Sequence, residues 1–197
     1  MSLPKPITVV SGLPRSGTSL MMQMIDRGGI AAVTDEIRTA DRDNPKGYFE
    51  FEPVKRTKDD PAWIPSAEGK VVKMVSSLLY DLPVTHHYRV VFMRRDIDEI
   101  LDSQEKMLLR LDRPVAPREQ IRLAFAVHLD RLFDWIPSQK HLELLEISYN
   151  DLLADPVEQV GRLNHFLGGN LATQAMIETI DPKLYRNRSM TAETGDR

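Results

Sequence analysis

No cysteine occurs among the 197 residues, which excludes disulfides, thiol nucleophiles and Cys-ligated zinc and fits a reducing cytoplasm. A basic excess is missing too: 26 Lys and Arg against 29 Asp and Glu leave a formal net charge of −3. Phosphate-backbone binding usually shows as a clear basic surplus, so nucleic acid is not expected as the main partner. No stretch approaches the ~18 consecutive apolar residues of a membrane helix. The first apolar run, Ile7 to Val10, leads into a glycine-rich turn rather than a small-residue cleavage site. The chain reads as soluble, unprocessed and cytoplasmic, with no membrane partner. Histidine and carboxylate spacing suited to a metal is also absent. His86 and His87 are adjacent before a strand and project in different directions, and His128, His141 and His165 read as structural or exposed.

What remains is ordinary: 42% apolar and 28% charged residues exclude disordered, collagen-like and coiled-coil classes. At roughly 150 residues per domain the length predicts one domain, spanning 1–197 with a polar tail from about residue 186. Ile7-Thr8-Val9-Val10 is a β-branched strand run, followed by a turn bracketed by Gly12 and Gly17. Leu20, Met21, Met24 and Ile25 then share one helical face, read as core packing, and Gly28-Gly29 stops that helix. Val71 to Val75, Arg89 to Met93 and Leu142 to Ile147 suit buried strands. Helical patterns cover Asp96 to Leu109, Pro117 to Ile136, Pro156 to Leu167 and Leu171 to Ile180. Asp155 before Pro156, and Ala116 before Pro117, are helix start signals. The fold class is therefore α/β, a central, mostly parallel sheet of about four to five strands flanked by helices. Thr34 to Gly69, with Pro45, Pro53, Pro61 and Pro65, reads as a long loop with one short helix near Pro53 to Lys58. A loop of that length in a compact domain is more often functional than idle.

Gly12-Leu13-Pro14-Arg15-Ser16-Gly17-Thr18-Ser19 has the G-x4-G spacing of a P-loop at a strand-to-helix turn. Backbone N–H groups point into such a turn and the helix N-terminus adds partial positive charge, so an anion fits. Thr18 stands where nucleoside triphosphatases carry the lysine that holds the β- and γ-phosphates, while a cation, Arg15, sits inside the loop. That charge layout suits an anion other than ATP.

Pro14-Arg15-Ser16-Gly17-Thr18-Ser19-Leu20 resembles the 5′-phosphosulfate loop of the sulfotransferases that use 3′-phosphoadenosine 5′-phosphosulfate (PAPS) and release 3′-phosphoadenosine 5′-phosphate (PAP). That family follows a strand with an arginine and, eight residues on, a serine that together hold the donor's 3′-phosphate. Here Arg95 follows Val90 to Met93, and Ser103 follows Arg95 at that spacing. Ser148-Tyr149-Asn150-Asp151-Leu152 is similar to a segment whose tyrosine lies near the adenine, with Asn150 where an acid is usual. The region after the loop looks most like the tyrosylprotein sulfotransferases. Counting without a gap from Arg15, Glu36 falls on that group's general base and Arg38 on its arginine. Asn44 to Glu50 resembles a segment of bacterial sulfotransferase-like proteins, which makes Glu50 a second acidic candidate, and Lys73 stands where the family often has a lysine reaching the transferring group. The aspartate-proline that usually follows it is replaced by Met74-Val75.

The resemblance implies in-line sulfuryl transfer from PAPS to a hydroxyl acceptor without a metal. Such a reaction is catalysed mostly by positioning and charge stabilisation. Arg15, Lys73 and the loop amides would hold the transferring group, with Glu36 or Glu50 as base. The acceptor, a small molecule, peptide or glycan, is not legible. The short chain leaves room for a second subunit, in a homodimer, to complete the acceptor site. Two other readings stay open: an ATP- and Mg²⁺-dependent kinase or nucleotidase, and a non-catalytic PAP-binding protein. Arg110, Arg113, Arg118 and Arg122 read as a solvated face rather than the entrance for an anionic acceptor.

Overall fold

The computed structural model describes residues 5–35 and 49–180. Its centre is a four-stranded sheet of β1 (Ile7–Gly12), β2 (Val71–Lys73), β3 (Tyr88–Arg94) and β4 (Leu142–Ser148) in the order β2-β1-β3-β4. All pairings are parallel, with Val9 opposite Val72 and Val90, and Val91 opposite Leu145. Every residue of β1 is buried, as a central parallel strand covered on both faces requires. Alternation sorts its side chains into two cores. Val9, Val72 and Val90 pack on one face with Trp63, Ile64 and Leu132. Val10, Val71 and Val91 pack on the other with Met21, Met22, Met24 and Ile25 of α1 (Thr18–Arg27).

The remaining helices are α2 (Ile97–Arg110), α3 (Arg118–Trp135), α4 (Tyr149–Ala154), α5 (Pro156–Phe166) and α6 (Thr173–Ile177). Asp155 caps α5 as its position predicts, accepting from the Glu158 amide at 3.0 Å. Several elements differ from the sequence reading, and the last helix, read as Leu171 to Ile180, covers only Thr173–Ile177. α3 begins after Pro117 with no side-chain cap, so Ala116 does not play that part. β2 stops at Lys73, because Val75 leads into a 3-10 turn over Ser76–Asp81. α4 is an extra helix, capped by the Ser148 hydroxyl on the Asp151 amide.

The long connection before β2 is anchored rather than loose in its second half. Its 3-10 turns are Glu52–Arg56 and Ile64–Ala67, and it seats Val54, Trp63, Ile64 and Ala67 in the core. Among the described residues no helix is long and apolar enough to cross a membrane.

Parallel pairing brings the carboxyl ends of all four strands to one edge. The chain leaves β1 for β2 on one side and then crosses to β3 on the other, so the switch point lies between β1 and β3. In open parallel sheets ligands bind in the crevice at that point. Gly12, opposite Met93, stands there.

Candidate functional site

Each strand delivers one part of the site at its carboxyl end. β1 runs into the Gly12 to Ser19 loop, β2 ends at Lys73, β3 is followed by Arg95, and β4 by Tyr149. The structure joins them directly. Arg15 Nε donates to Ser103 Oγ at 3.1 Å, Arg95 Nη1 donates to the Arg15 carbonyl at 3.1 Å, and Lys73 Nζ donates to Ser19 Oγ at 3.1 Å. The Arg95 guanidinium lies over the Tyr149 ring, 4.6 Å from its centroid, within reach of a cation–π attraction.

The loop's geometry explains its residues. Gly12 and Gly17 have φ of 152° and 98°. A Cβ on Gly12 would stand 2.9 Å from the Met93 carbonyl oxygen, and one on Gly17 would stand 2.8 Å from Tyr149 Cε2. Only glycine lets the loop lie this close to β3 and α4. Arg15 has φ 69°, a left-handed conformation that costs a non-glycine residue ~1–3 kcal/mol. It is half-buried and has no carboxylate partner among the described residues.

The loop suits an anion. α1 opens at Gly17 with no side-chain cap and no acidic residue in its first turn, whereas Asp96, Ser148 and Asp155 cap α2, α4 and α5. Its first N–H groups are left for a ligand. The hydroxyls of Ser11 and Ser16 are buried with no hydrogen-bond partner among the described residues. Thr18 and Ser19 open the first turn of α1, and Pro14 is exposed.

Arg95 carries a feature the sequence reading passed over. Its Nε donates to Glu99 Oε2 at 3.0 Å, and the two side chains are 7% and 1% exposed. Asn150 Nδ2 lies 3.4 Å from the other Glu99 oxygen. An acid at position 150 would face the Glu99 carboxylate, so Asn150 is the polar residue this site accommodates. The i, i+4 spacing of Arg95 and Glu99 at the start of a helix was the available signal.

Of the two acidic candidates, Glu36 lies outside the described residues, as does Arg38. Glu50 is placed by main-chain pairing. Val33 N donates to the Val71 carbonyl, so the 31–35 segment runs beside β2, and Asp35 N donates to the Glu50 carbonyl at 3.2 Å. That puts Glu50 at the sheet's carboxyl edge beside β2. Phe49 and Phe51 on either side pack into the two different cores. Lys55 faces this group: a hydrogen bond to Glu52, helped by Glu50 and Asp35, holds its ammonium above the ordinary lysine pKa.

Two of the arginines read from the sequence as a solvated face, Arg118 and Arg122, are engaged with α2. Arg118 bonds Asp98 at 2.8 Å and Asp102 at 2.7 Å, and Arg122 also bonds Asp98. These two clamp α3 to α2 and hold the Asp98 carboxyl below its ordinary pKa. No group of three or more histidines and carboxylates suited to a metal occurs among the described residues.

No family model matches the chain, and no curated protein matches its sequence. Among solved structures it is similar to the sulfotransferase domain of the Synechococcus PCC 7002 olefin synthase, with TM-score 0.58 and 16% identity, covering 92% of this chain and 79% of that one. It is also similar to a sulfotransferase from Alicyclobacillus acidocaldarius, with TM-score 0.52, 17% identity and coverage of 92% and 89%. A third likeness is to the sulfotransferase domain of the curacin biosynthetic pathway, with TM-score 0.50, 13% identity and coverage of 95% and 80%. Identities this low speak for architecture, and the chain has the fold of these sulfotransferase domains.

Proposed function

We propose that the protein transfers a sulfuryl group from PAPS to a hydroxyl acceptor. The observation that carries this reading is Arg15. A cation without a carboxylate partner among the described residues is held inside an anion-binding loop by Ser103, at the position where the sulfotransferase-like motif has its arginine and where Thr18 replaces the triphosphatase lysine.

PAPS, when bound, supplies an activated sulfuryl group and leaves as PAP. Arg15, Ser16, Gly17, Thr18 and Ser19 would hold its 5′-phosphosulfate end, with the amides of α1's first turn as donors. Lys73, tethered to Ser19, places a second cation beside that end. Both stabilise charge that accumulates on the departing phosphate oxygen, and such preorganised donors are worth most where water is excluded. Arg95 and Ser103 would take the 3′-phosphate. Tyr149 is 8% exposed, covered by Gly17 and Arg95, so its part is to support those two residues rather than to stack broadly on adenine. Glu36 or Glu50 would accept the acceptor's hydroxyl proton on a carboxylate oxygen. Nothing in this assignment needs a metal ion.

Thermal unfolding with PAP in EDTA, against ATP with Mg²⁺, tests the reading. At a hundredfold excess over Kd a ligand adds ~2.7 kcal/mol, which for a chain of this size is a rise of roughly 5–10 °C. PAP should give that rise without metal and ATP should not. A rise that requires Mg²⁺ and ATP would replace this reading with the kinase or nucleotidase one.

A further inference from the structure

Glu99 is the one fully buried carboxylate among the described residues, and the reaction proposed above gives it no part. It stands in the first turn of α2. Its Oε2 accepts from Arg95 Nε at 3.0 Å, and Asn150 Nδ2 lies 3.4 Å from its Oε1. Taking a carboxylate out of water is costly even when it is paired, and a well-packed apolar side chain often serves the fold as well. Stability alone therefore does not explain an acid at this position.

Arg95 has two holds besides Glu99. Its Nη1 donates to the Arg15 carbonyl at 3.1 Å, and the guanidinium lies over the Tyr149 ring, 4.6 Å from its centroid. What Glu99 supplies is charge. Its carboxylate, at hydrogen-bond distance from the guanidinium, offsets the positive charge that a 3′-phosphate would meet, and in a site screened from water that offset is large. The neutral amide of Asn150 faces the carboxylate without adding a second anion.

We infer that Glu99 limits the affinity of the site for a 3′-phosphate and so lets the product PAP leave. The inference rests on the reading that Arg95 and Ser103 take that group. PAPS and PAP carry the same 3′-phosphate, so binding energy gained there holds donor and product alike and does nothing for the transfer step. An unopposed buried arginine would retain the product and make its release slow. Pairing Arg95 with Glu99 keeps the directional hydrogen bonds that recognise the phosphate and removes the excess of charge.

Calorimetric titration of PAP and AMP into wild type, Glu99→Gln and Asn150→Asp tests this, together with stopped-flow measurement of PAP release. Glutamine keeps the shape and an oxygen for Arg95 Nε, and the Asn150 amide can turn to offer its own oxygen. Glu99→Gln should therefore fold like wild type, bind PAP ~10-fold more tightly, change AMP less and release PAP more slowly. Asn150→Asp adds an anion and should weaken PAP relative to AMP. A merely structural role would weaken PAP in both variants, so the opposite signs separate the two accounts. Unchanged or lower PAP affinity in Glu99→Gln, with a wild type that prefers PAP to AMP, would overturn the inference and leave the subsite standing. So would an Asn150→Asp variant that binds PAP as tightly as wild type. A wild type with no preference for PAP over AMP would overturn the subsite and the inference together.

Discussion

Arg15 and Ser103, 88 positions apart in sequence, meet at 3.1 Å, so the loop after β1 and the helix after β3 act as one unit. This contact orients the loop's cation. Arg15 also holds a left-handed backbone, with φ 69°. Glycine adopts that conformation freely, so Arg15→Gly should leave the melting temperature unchanged or slightly raised while abolishing the cation. Equal unfolding curves with a large loss of activity would separate chemistry from folding. A strongly destabilised Arg15→Gly would show instead that the arginine is structural.

Ser103 offers the cleaner test of the proposed 3′-phosphate subsite. Arg95→Ala would remove the cation from the buried Glu99 carboxylate, which typically costs ~3–5 kcal/mol, and would confuse binding with stability. Ser103→Ala avoids this. It should weaken PAP more than AMP, and a hydrogen bond to a charged group is worth ~1.5–3 kcal/mol. Calorimetric titration with both nucleotides decides the matter: equal losses would mean that Ser103 only steadies Arg15.

Gly17→Ala should be severe. The new methyl would collide with the Tyr149 ring, and the φ of 98° is hostile to any side chain. Strain of ~1–3 kcal/mol adds to the steric clash. Denaturant unfolding should show the loss, and Gly17→Ala/Tyr149→Ala should recover the steric part of it. A Gly17→Ala variant as stable as wild type would contradict the packing of loop on α4.

Acid should weaken the fold through two imidazoles. Burial holds His128, bonded to Ser76 at 2.8 Å, and His141 below the ordinary histidine pKa. Their unfolded pKa is ~6.5, so their contribution is complete above that value and is lost as pH falls through the lower folded values. Unfolding midpoints should therefore drop between pH 7.5 and 5, and His128→Asn should flatten that drop. An unchanged slope in His128→Asn would remove His128 from the account.

Much of the scaffold was legible because its signals are local. The β-branched run at Ile7, the glycine spacing of the loop and the Asp155 cap each name their own conformation. α4 was not, since six residues are too few for helical periodicity to show. In the site, Arg15, Lys73, Arg95, Ser103 and Tyr149 could be picked out singly, yet their mutual contacts could not. The partnership of Arg15 with Ser103, and of Arg95 with Tyr149, depends on how parallel strands align their ends. Glu99 was missed for a related reason. An i, i+4 ion pair on a helix is usually exposed and weak, and only the packing of α2 against the loop buries this one.

Turnover of labelled PAPS is the most direct test of the central claim. Wild type and Arg15→Gly would be incubated in EDTA with PAPS and pooled hydroxyl-bearing metabolites, peptides and glycans, and both transferred label and released PAP would be counted. The account predicts metal-independent transfer by wild type and a fall of ~10²–10³ in Arg15→Gly, the usual cost of losing one transition-state donor. Tight PAP binding with no transfer to any acceptor, or equal transfer by the two proteins, would contradict it.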